Sequence, residues 1–171
     1  MRHLTEGEIA LARGVFGDSI DYARVTVRPG RYVPFQPRGT AMAPNGHLYM
    51  YGCYSADYSR ENVYRQAHFI HELTHVWQRQ NRVLRPRLSA VVLLLRHAFN
   101  YSAAYAYRLE KGRDLLSYNM EQQASIVEEF FLSARGGRVF SCRNDCDADA
   151  RRALYGEVLK KFLKDPAYPR R

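Results

Sequence analysis

The sequence lacks a long apolar run, and its longest one, Ala90 to Leu95, covers only six residues. A helix that crosses a bilayer needs about 20 predominantly apolar residues, so the sequence predicts no membrane-spanning segment. The first residues also lack the apolar core of a secretory signal peptide. We therefore expect synthesis in the cytoplasm, and any export would use a route that needs no signal peptide.

Cysteine is scarce as well. Cys53, Cys142 and Cys146 cannot all pair within one chain, so a disulfide framework does not stabilise the fold. Eleven glycines and seven prolines are too few for a collagen-like or low-complexity chain. A hydrophobic content of 46% over 171 residues instead predicts a single globular domain that spans residues 1–171.

The charge is basic, because 26 lysines and arginines against 17 acidic residues give a net charge of +9. Such a surface attracts polyanions, but the basic residues are spread along the chain and form no block. The tyrosines at 101, 105 and 107 lie between Arg96 and Arg108, and aromatic residues near arginines are also found in nucleic-acid binding. Core packing explains these tyrosines better, so nucleic acid is not the predicted partner.

Local patterns predict a short N-terminal β region followed by helices. Thr5 and Glu8 form a capping box for a helix that ends near Gly17. This order predicts an α+β fold, mostly helical, with helices packed on one face of a small antiparallel sheet. The other predicted strands are Tyr22–Val27 and a hairpin over Thr40–Tyr51, and the other predicted helices are Asn62 to about Asn81, Leu88 to about Leu109, one capped by Asn119, and Asp147–Lys164.

The motif His71-Glu72-Leu73-Thr74-His75 lies inside the helix predicted from Asn62. Residues four apart share one helical face about 6 Å apart, so both imidazoles can reach one Zn²⁺ ion at about 2.1 Å. Glu72 is turned about 100° away from His71. It is therefore poorly placed as a ligand, but it can take a proton from an attacking water as a general base.

A catalytic zinc site needs a third protein ligand, and several residues qualify by chemistry. His68 is too far from His75 along the helix to share one ion, and the residue six after His75, where metzincins have histidine, is Asn81. His97 has no supporting neighbours. Glu121 and Glu128 remain, and periodicity does not separate them, although the helix dipole slightly favours Glu121.

Four stretches of the sequence carry a resemblance to a known family. The chain resembles the Vgr-related proteins of proteobacteria, small zinc metallopeptidases similar to the gluzincin-type effector domains linked to type VI secretion. The resemblance covers most of residues 4 to 135 and leaves out the final predicted helix. The stretches are Leu4–Ala12, Thr40–Tyr49, Phe69–Gln78 and Glu121–Val127.

The resemblance implies a minimal gluzincin-like zincin with Zn²⁺ as cofactor. It implies that the glutamate of Glu-Gln-Gln-Ala, which is Glu121, is the third ligand. It also implies an edge strand beside the zinc helix, and the predicted strand Leu48–Tyr51 fits that position. The free edge of this strand would bind an extended peptide by strand addition.

Two further motifs were weighed. The acidic segment Asp145–Asp149 begins like a calcium loop but lacks the later glycine and glutamate, so helix capping explains it better. Cys142 and Cys146 have no neighbouring histidine and predict no zinc ribbon. A tyrosine, either Tyr118 or one of those at 101, 105 and 107, would donate a hydrogen bond to the oxyanion of the reaction.

The sequence thus predicts a zinc metallopeptidase in which His71, His75 and Glu121 hold Zn²⁺ and Glu72 is the general base. Its substrate would be a protein chain or the peptide part of bacterial peptidoglycan. The secretion link implies a Vgr- or PAAR-type partner, an immunity protein, and toxicity in the periplasm of a target cell. The alternative is a non-catalytic secretion adaptor or basic polyanion binder, with a structural zinc or none.

Overall fold

The computed structural model describes residues 1–83 and 105–170, which form a small sheet and a set of helices. The strands are β1 (Arg2–His3), β2 (Thr26–Arg28), β3 (Thr40–Met42) and β4 (Leu48–Tyr51), and the helices are α1 (Glu6–Phe16), α2 (Val63–Gln80), α3 (Met120–Ser133), α4 (Ala148–Val158) and α5 (Lys160–Lys164). Helices α2 and α3 make the most extensive contact between any two of these elements.

The sheet has four strands in the order β1-β2-β4-β3, and its topology differs from the prediction. The pairs β1–β2 and β3–β4 are antiparallel, but β2 and β4 are parallel. The prediction of an antiparallel sheet is therefore wrong, because local patterns do not reveal which strand lies beside β2. The hairpin predicted around Asn45-Gly46 is present as β3 and β4, with Ala41 opposite Met50.

The predicted strand Tyr22–Val27 is also wrong in its first half. Tyr22–Arg24 form a 3₁₀ turn, and the strand begins only at Thr26. Tyr22 is buried, and its hydroxyl donates to the carbonyl oxygen of Gly17 at 2.6 Å. This contact with a residue only five positions earlier holds Tyr22 outside the sheet despite its β propensity.

Helix α1 begins as the sequence predicts. Thr5 and Glu8 form the complete capping box. The Glu8 carboxylate is fully buried and also accepts hydrogen bonds from the Arg2 guanidinium at 2.7 Å and from the backbone N–H of Tyr58 at 2.9 Å. One capping residue thus ties β1 and the segment before α2 to the start of α1.

The C-terminal region departs from the prediction at two points. The single helix predicted over Asp147–Lys164 is divided at Leu159, where α4 ends and α5 begins. The segment before α3 does not stay helical to Leu109, because Tyr107 forms a β-bridge with Cys142. The rest of the helix predicted from Leu88, together with His97 and Tyr101, lies outside the described residues.

No helix within residues 1–83 and 105–170 is long and apolar enough to cross a membrane.

Candidate metal centre

Helix α2 presents three chemically active side chains toward α3. Asn62 caps the helix by accepting hydrogen bonds from the backbone N–H groups of Tyr64 and Arg65. Polar side chains are seldom buried without partners, yet His71, Glu72 and His75 are 4%, 2% and 5% exposed. These three residues form a group whose ligand atoms lie within 4.8 Å of one another, and which could hold a metal ion.

Helix α3 brings a carboxylate to the two histidines. Glu121 lies in the first turn, where Asn119 and Gln122 form the predicted capping box. Its Oε2 atom is 3.4 Å from Nε2 of His71 and 3.3 Å from Nε2 of His75. One oxygen atom is therefore nearly equidistant from the outer nitrogens of both imidazoles.

These distances fit a divalent ion. Ligand bonds of 2.0–2.2 Å in tetrahedral geometry place ligand atoms about 3.3–3.6 Å apart. Two buried polar atoms, Nε2 of His75 and Oε2 of Glu72, have no hydrogen-bond partner among the residues that the structure describes. Buried polar atoms normally have partners, so two unpartnered atoms on members of one compact His–Glu–His group favour a bound cation there.

Glu128, the alternative ligand on α3, occupies a different position. Its Oε2 accepts a hydrogen bond from Nδ1 of His71 at 2.8 Å, on the side of the ring away from Glu121. Such a carboxylate orients the imidazole and raises its basicity. Burial alone lowers the pKa of His71, but Glu128 and Glu121 overcome this effect and raise it to about 10.

His75 has an uncharged partner in the corresponding position. Nδ1 of His75 lies 2.9 Å from Oε1 of Gln78, one turn further along α2. The two histidines thus present Nε2 toward Glu121 and use Nδ1 for hydrogen bonds to unlike groups.

A cleft of about 190 Å³ opens next to this cluster. Strand β3, helices α2 and α3, Tyr105 and the segment that follows α3 all contribute to its lining. The lining residues include Gly39, Thr40, Ala41, His68, His71, Glu72, Tyr105, Ser125, Glu128 and Ser141.

The strand at this cleft is not the one predicted. Leu48–Tyr51 was expected at the free edge, but β4 lies between β2 and β3 and is paired on both sides. Strand β3 is at the edge instead, and within the described residues its only strand partner is β4. The order of strands depends on long-range pairing, which the hairpin pattern does not determine.

The structure separates the candidate tyrosines. The Tyr107 hydroxyl donates to the Glu129 carboxylate at 2.7 Å, and the Tyr118 hydroxyl donates to the carbonyl oxygen of Arg108 at 3.0 Å. Tyr105 instead lines the cleft, and its ring stacks on His71 with centroids 5.8 Å apart. Of the three described candidates, Tyr105 is the one beside the histidine cluster.

A buried carboxylate holds the far wall of the cleft. Glu129 accepts hydrogen bonds from the backbone N–H groups of Phe140, Ser141 and Cys142 at 2.6, 2.5 and 3.0 Å. The Tyr107 hydroxyl at 2.7 Å and the Tyr155 hydroxyl at 3.5 Å also donate to it, which gives it five donors. Glu129 thereby fixes the segment that brings Ser141 to the cleft.

The remaining predicted features have structural roles. His68 lines the cleft and is not part of the metal group. Asp147 caps α4 by accepting a hydrogen bond from the backbone N–H of Ala150, as the capping interpretation predicts. Cys53, Cys142 and Cys146 are free thiols.

Sequence analysis did not identify Gln78, Gln123, Ser125 or the role of Glu129. Gln78 and Gln123 are buried and Ser125 is 1% exposed. The sequence held one signal for Gln78, which is a polar residue three positions after His75 and directly follows the apolar residues Val76 and Trp77. No local pattern indicated the other three residues, because their partners are distant in the chain.

The fold and the cluster together define the class of this protein, a small α+β domain with a histidine–glutamate cluster at an open cleft. The chain belongs to the family of the VgrG2b effector domain. It is 44% identical to the type VI secretion system spike protein VgrG2b of Pseudomonas aeruginosa, over 94% of this chain.

That alignment spans only 15% of the spike protein's length. The solved effector domain of Pseudomonas aeruginosa VgrG2b is 40% identical, with a TM-score of 0.66 over 95% of this chain and 82% of that one. No profile of a known protein family matches the chain.

Proposed function

We propose that this chain is a zinc-dependent peptidase domain that acts as a type VI secretion effector. The convergence of His71, His75 and Glu121 on one point, at ligand–ligand distances of 3.3–3.4 Å, carries the proposal. Two imidazoles and one carboxylate are a donor set used by catalytic zinc, and this set leaves a fourth position for water.

His71, His75 and Glu121 would hold the ion. Zinc, when bound, supplies a Lewis acid that lowers the pKa of water and polarises a carbonyl group. Glu72 is adjacent to the ligand set, and its buried Oε2 accepts no hydrogen bond from the described residues. Glu72 takes a proton from the attacking water and then gives a proton to the leaving amine.

The cleft supports a peptide as the substrate. An extended peptide can pair with the edge of a sheet through its backbone, and edge strand β3 brings Thr40 and Ala41 to the same cleft as Glu72. Tyr105 lines the same cleft, and its ring stacks on His71. We propose that its hydroxyl stabilises the developing oxyanion.

The family supports delivery by type VI secretion. The name of the relative describes a secretion spike, and the solved relative is an effector domain. The targets we propose are a protein or the peptide part of peptidoglycan in the periplasm of a recipient cell, with a Vgr- or PAAR-type partner for delivery and an immunity protein in the producer.

The decisive experiment compares Glu72→Gln with the wild type, both loaded with zinc. We expect the variant to bind zinc normally, because Glu72 is not a ligand, and to lose about 10²–10⁴-fold in turnover. The control is Glu157→Gln, which changes an exposed side chain on α4. Hydrolysis at the wild-type rate by Glu72→Gln would exclude Glu72 as the base.

A second variant, Glu121→Ala, tests the ligand set. We expect weaker zinc uptake, since only the two imidazoles would remain. Wild-type uptake by this variant would reject Glu121 as a ligand. A wild-type protein that binds zinc but cleaves neither peptides nor peptidoglycan fragments would support the non-catalytic alternative.

A further inference from the structure

We infer that Gln78 and Gln123 form a buried amide relay that fixes the ring of His75, and that both are positioning residues for the metal centre. This inference rests on the proposed zinc site and adds residues to it. Gln78 is fully buried and Gln123 is 4% exposed. Two neutral amides in the core must satisfy each other or nearby backbone groups.

The relay begins at a backbone carbonyl. Nε2 of Gln123 donates to the carbonyl oxygen of Tyr118 at 2.7 Å. A carbonyl oxygen only accepts hydrogen bonds, so the NH₂ group of Gln123 must face Tyr118. The Oε1 atom of Gln123 must therefore face the other way, toward α2.

The same logic orients Gln78. Its Nε2 donates to Oε1 of Gln123 at 3.0 Å and to the carbonyl oxygen of Met120 at 2.9 Å. Both partners are acceptors, so this end of Gln78 has to be the NH₂ group. Its Oε1 atom is then directed at Nδ1 of His75, 2.9 Å away.

The last link determines what His75 presents to a metal. Because Oε1 of Gln78 only accepts, Nδ1 of His75 must carry the hydrogen. Nε2 is then the ring nitrogen available as a ligand, and it is the one 3.3 Å from Glu121. Two backbone carbonyls at the start of α3 thus fix the orientation of both amides, and the amide of Gln78 fixes the imidazole of His75 on α2.

The relay also explains the difference between the two histidines. His71 is oriented by the carboxylate of Glu128, which is 24% exposed at the side chain and lines the cleft. His75 is oriented by buried neutral groups that do not line the cleft. Gln78 and Gln123 therefore act on the metal centre without contact with the substrate.

The test measures the zinc dissociation constant by chelator competition on the intact domain. Gln78→Leu removes the acceptor for Nδ1, and loss of such a partner typically weakens metal affinity about 10–100-fold. Gln78→Glu keeps an oxygen facing Nδ1 but loses the donor to Met120. We expect this variant to unfold more easily and still to bind zinc with near wild-type affinity, which a purely structural role would not produce.

Gln123 supplies the second arm of the test, because it reaches His75 only through Gln78. Gln123→Leu should weaken zinc binding less than Gln78→Leu, and the double variant should be no weaker than Gln78→Leu alone. The control is Gln66→Leu, since the amide of Gln66 on α2 donates to two backbone carbonyls, those of Ser59 and Glu61, and its partners do not include His75. It should change stability without changing zinc affinity.

A spectroscopic readout completes the test. In the zinc-loaded protein, the Nδ1–H proton of His75 should give a slowly exchanging NMR signal that disappears in Gln78→Leu. If Gln78→Leu does not fold, Gln123→Leu and Gln78→Glu still decide the question. The relay would be overturned by wild-type zinc affinity in Gln78→Leu, or by additive losses of affinity in the double variant. If the wild-type protein itself binds no zinc, the proposed function is overturned instead.

Discussion

The buried carboxylate of Glu129 provides a quantitative test of how the far wall of the cleft is held. In Glu129→Gln, one carboxylate oxygen becomes an NH₂ group of nearly the same size. Oε1 accepts from the N–H groups of Phe140 and Ser141. Oε2 accepts from the N–H group of Cys142 and from the hydroxyls of Tyr107 and, at 3.5 Å, Tyr155. Either orientation of the new amide places the NH₂ group against at least one backbone donor.

The magnitude follows from the four shortest of these hydrogen bonds. A buried donor left without its acceptor costs about 1–3 kcal/mol, and each of the three remaining bonds weakens by about 1 kcal/mol when its acceptor loses charge. We therefore expect a loss of about 4–6 kcal/mol in the free energy of unfolding. For a domain of this length, that loss lowers Tm by roughly 8–24 °C.

The assay is thermal and urea unfolding followed by circular dichroism, with Glu157→Gln as the control. The control should stay within about 0.5 kcal/mol of the wild type, because its side chain is exposed. Peptide hydrolysis should also fall in Glu129→Gln well below its melting temperature, since Ser141 would no longer be held at the cleft. A Tm within 2 °C of the wild type would refute the reasoning.

Three other predictions concern side chains around the cluster. Tyr105→Phe should lower kcat about 100-fold with little change in KM if its hydroxyl stabilises the oxyanion, and unchanged kcat would exclude that role. Glu128→Leu should weaken zinc binding about 10–100-fold. Glu128→Gln should weaken it less, because its amide oxygen still accepts a hydrogen bond from Nδ1 of His71. Equal losses of zinc affinity in the two variants would argue against a role for this hydrogen bond. Burial, aided by the Glu72 carboxylate and opposed by Arg65, raises the pKa of Cys53 to about 11. Its thiolate population at pH 8 is therefore about 100-fold below that of an ordinary thiol. Iodoacetamide should label Cys53 slowly in the folded protein and quickly in urea, and equal rates would contradict this pKa.

The elements that the sequence predicted well depend on neighbours only a few residues apart. The capping boxes of Thr5 with Glu8 and of Asn119 with Gln122 are both present. The span of α2 also agrees with the prediction within two residues of each end. Helix caps and helical faces are set by contacts at three- and four-residue spacing, so a single sequence contains them.

The elements that were predicted wrongly depend on partners far along the chain. Strand β2 pairs in parallel with β4, which places Val27 opposite Leu48. The end of the segment predicted to be helical at Leu109 pairs instead with Cys142, through Tyr107. In each case, packing or strand pairing outweighs the local preference.

The candidate site divides in the same way. The spacing of His71, Glu72 and His75 was enough to place all three on α2, because an α-helix repeats every 3.6 residues whatever surrounds it. The roles of Glu121 and Glu128 were not separable from that spacing. Both carboxylates lie about fifty residues away, and the packing of α3 against α2 turns one toward Nε2 and the other toward Nδ1 of His71. The relay from Tyr118 to His75 depends on the same packing, since its hydrogen bonds join groups that approach one another only when the two helices are in contact.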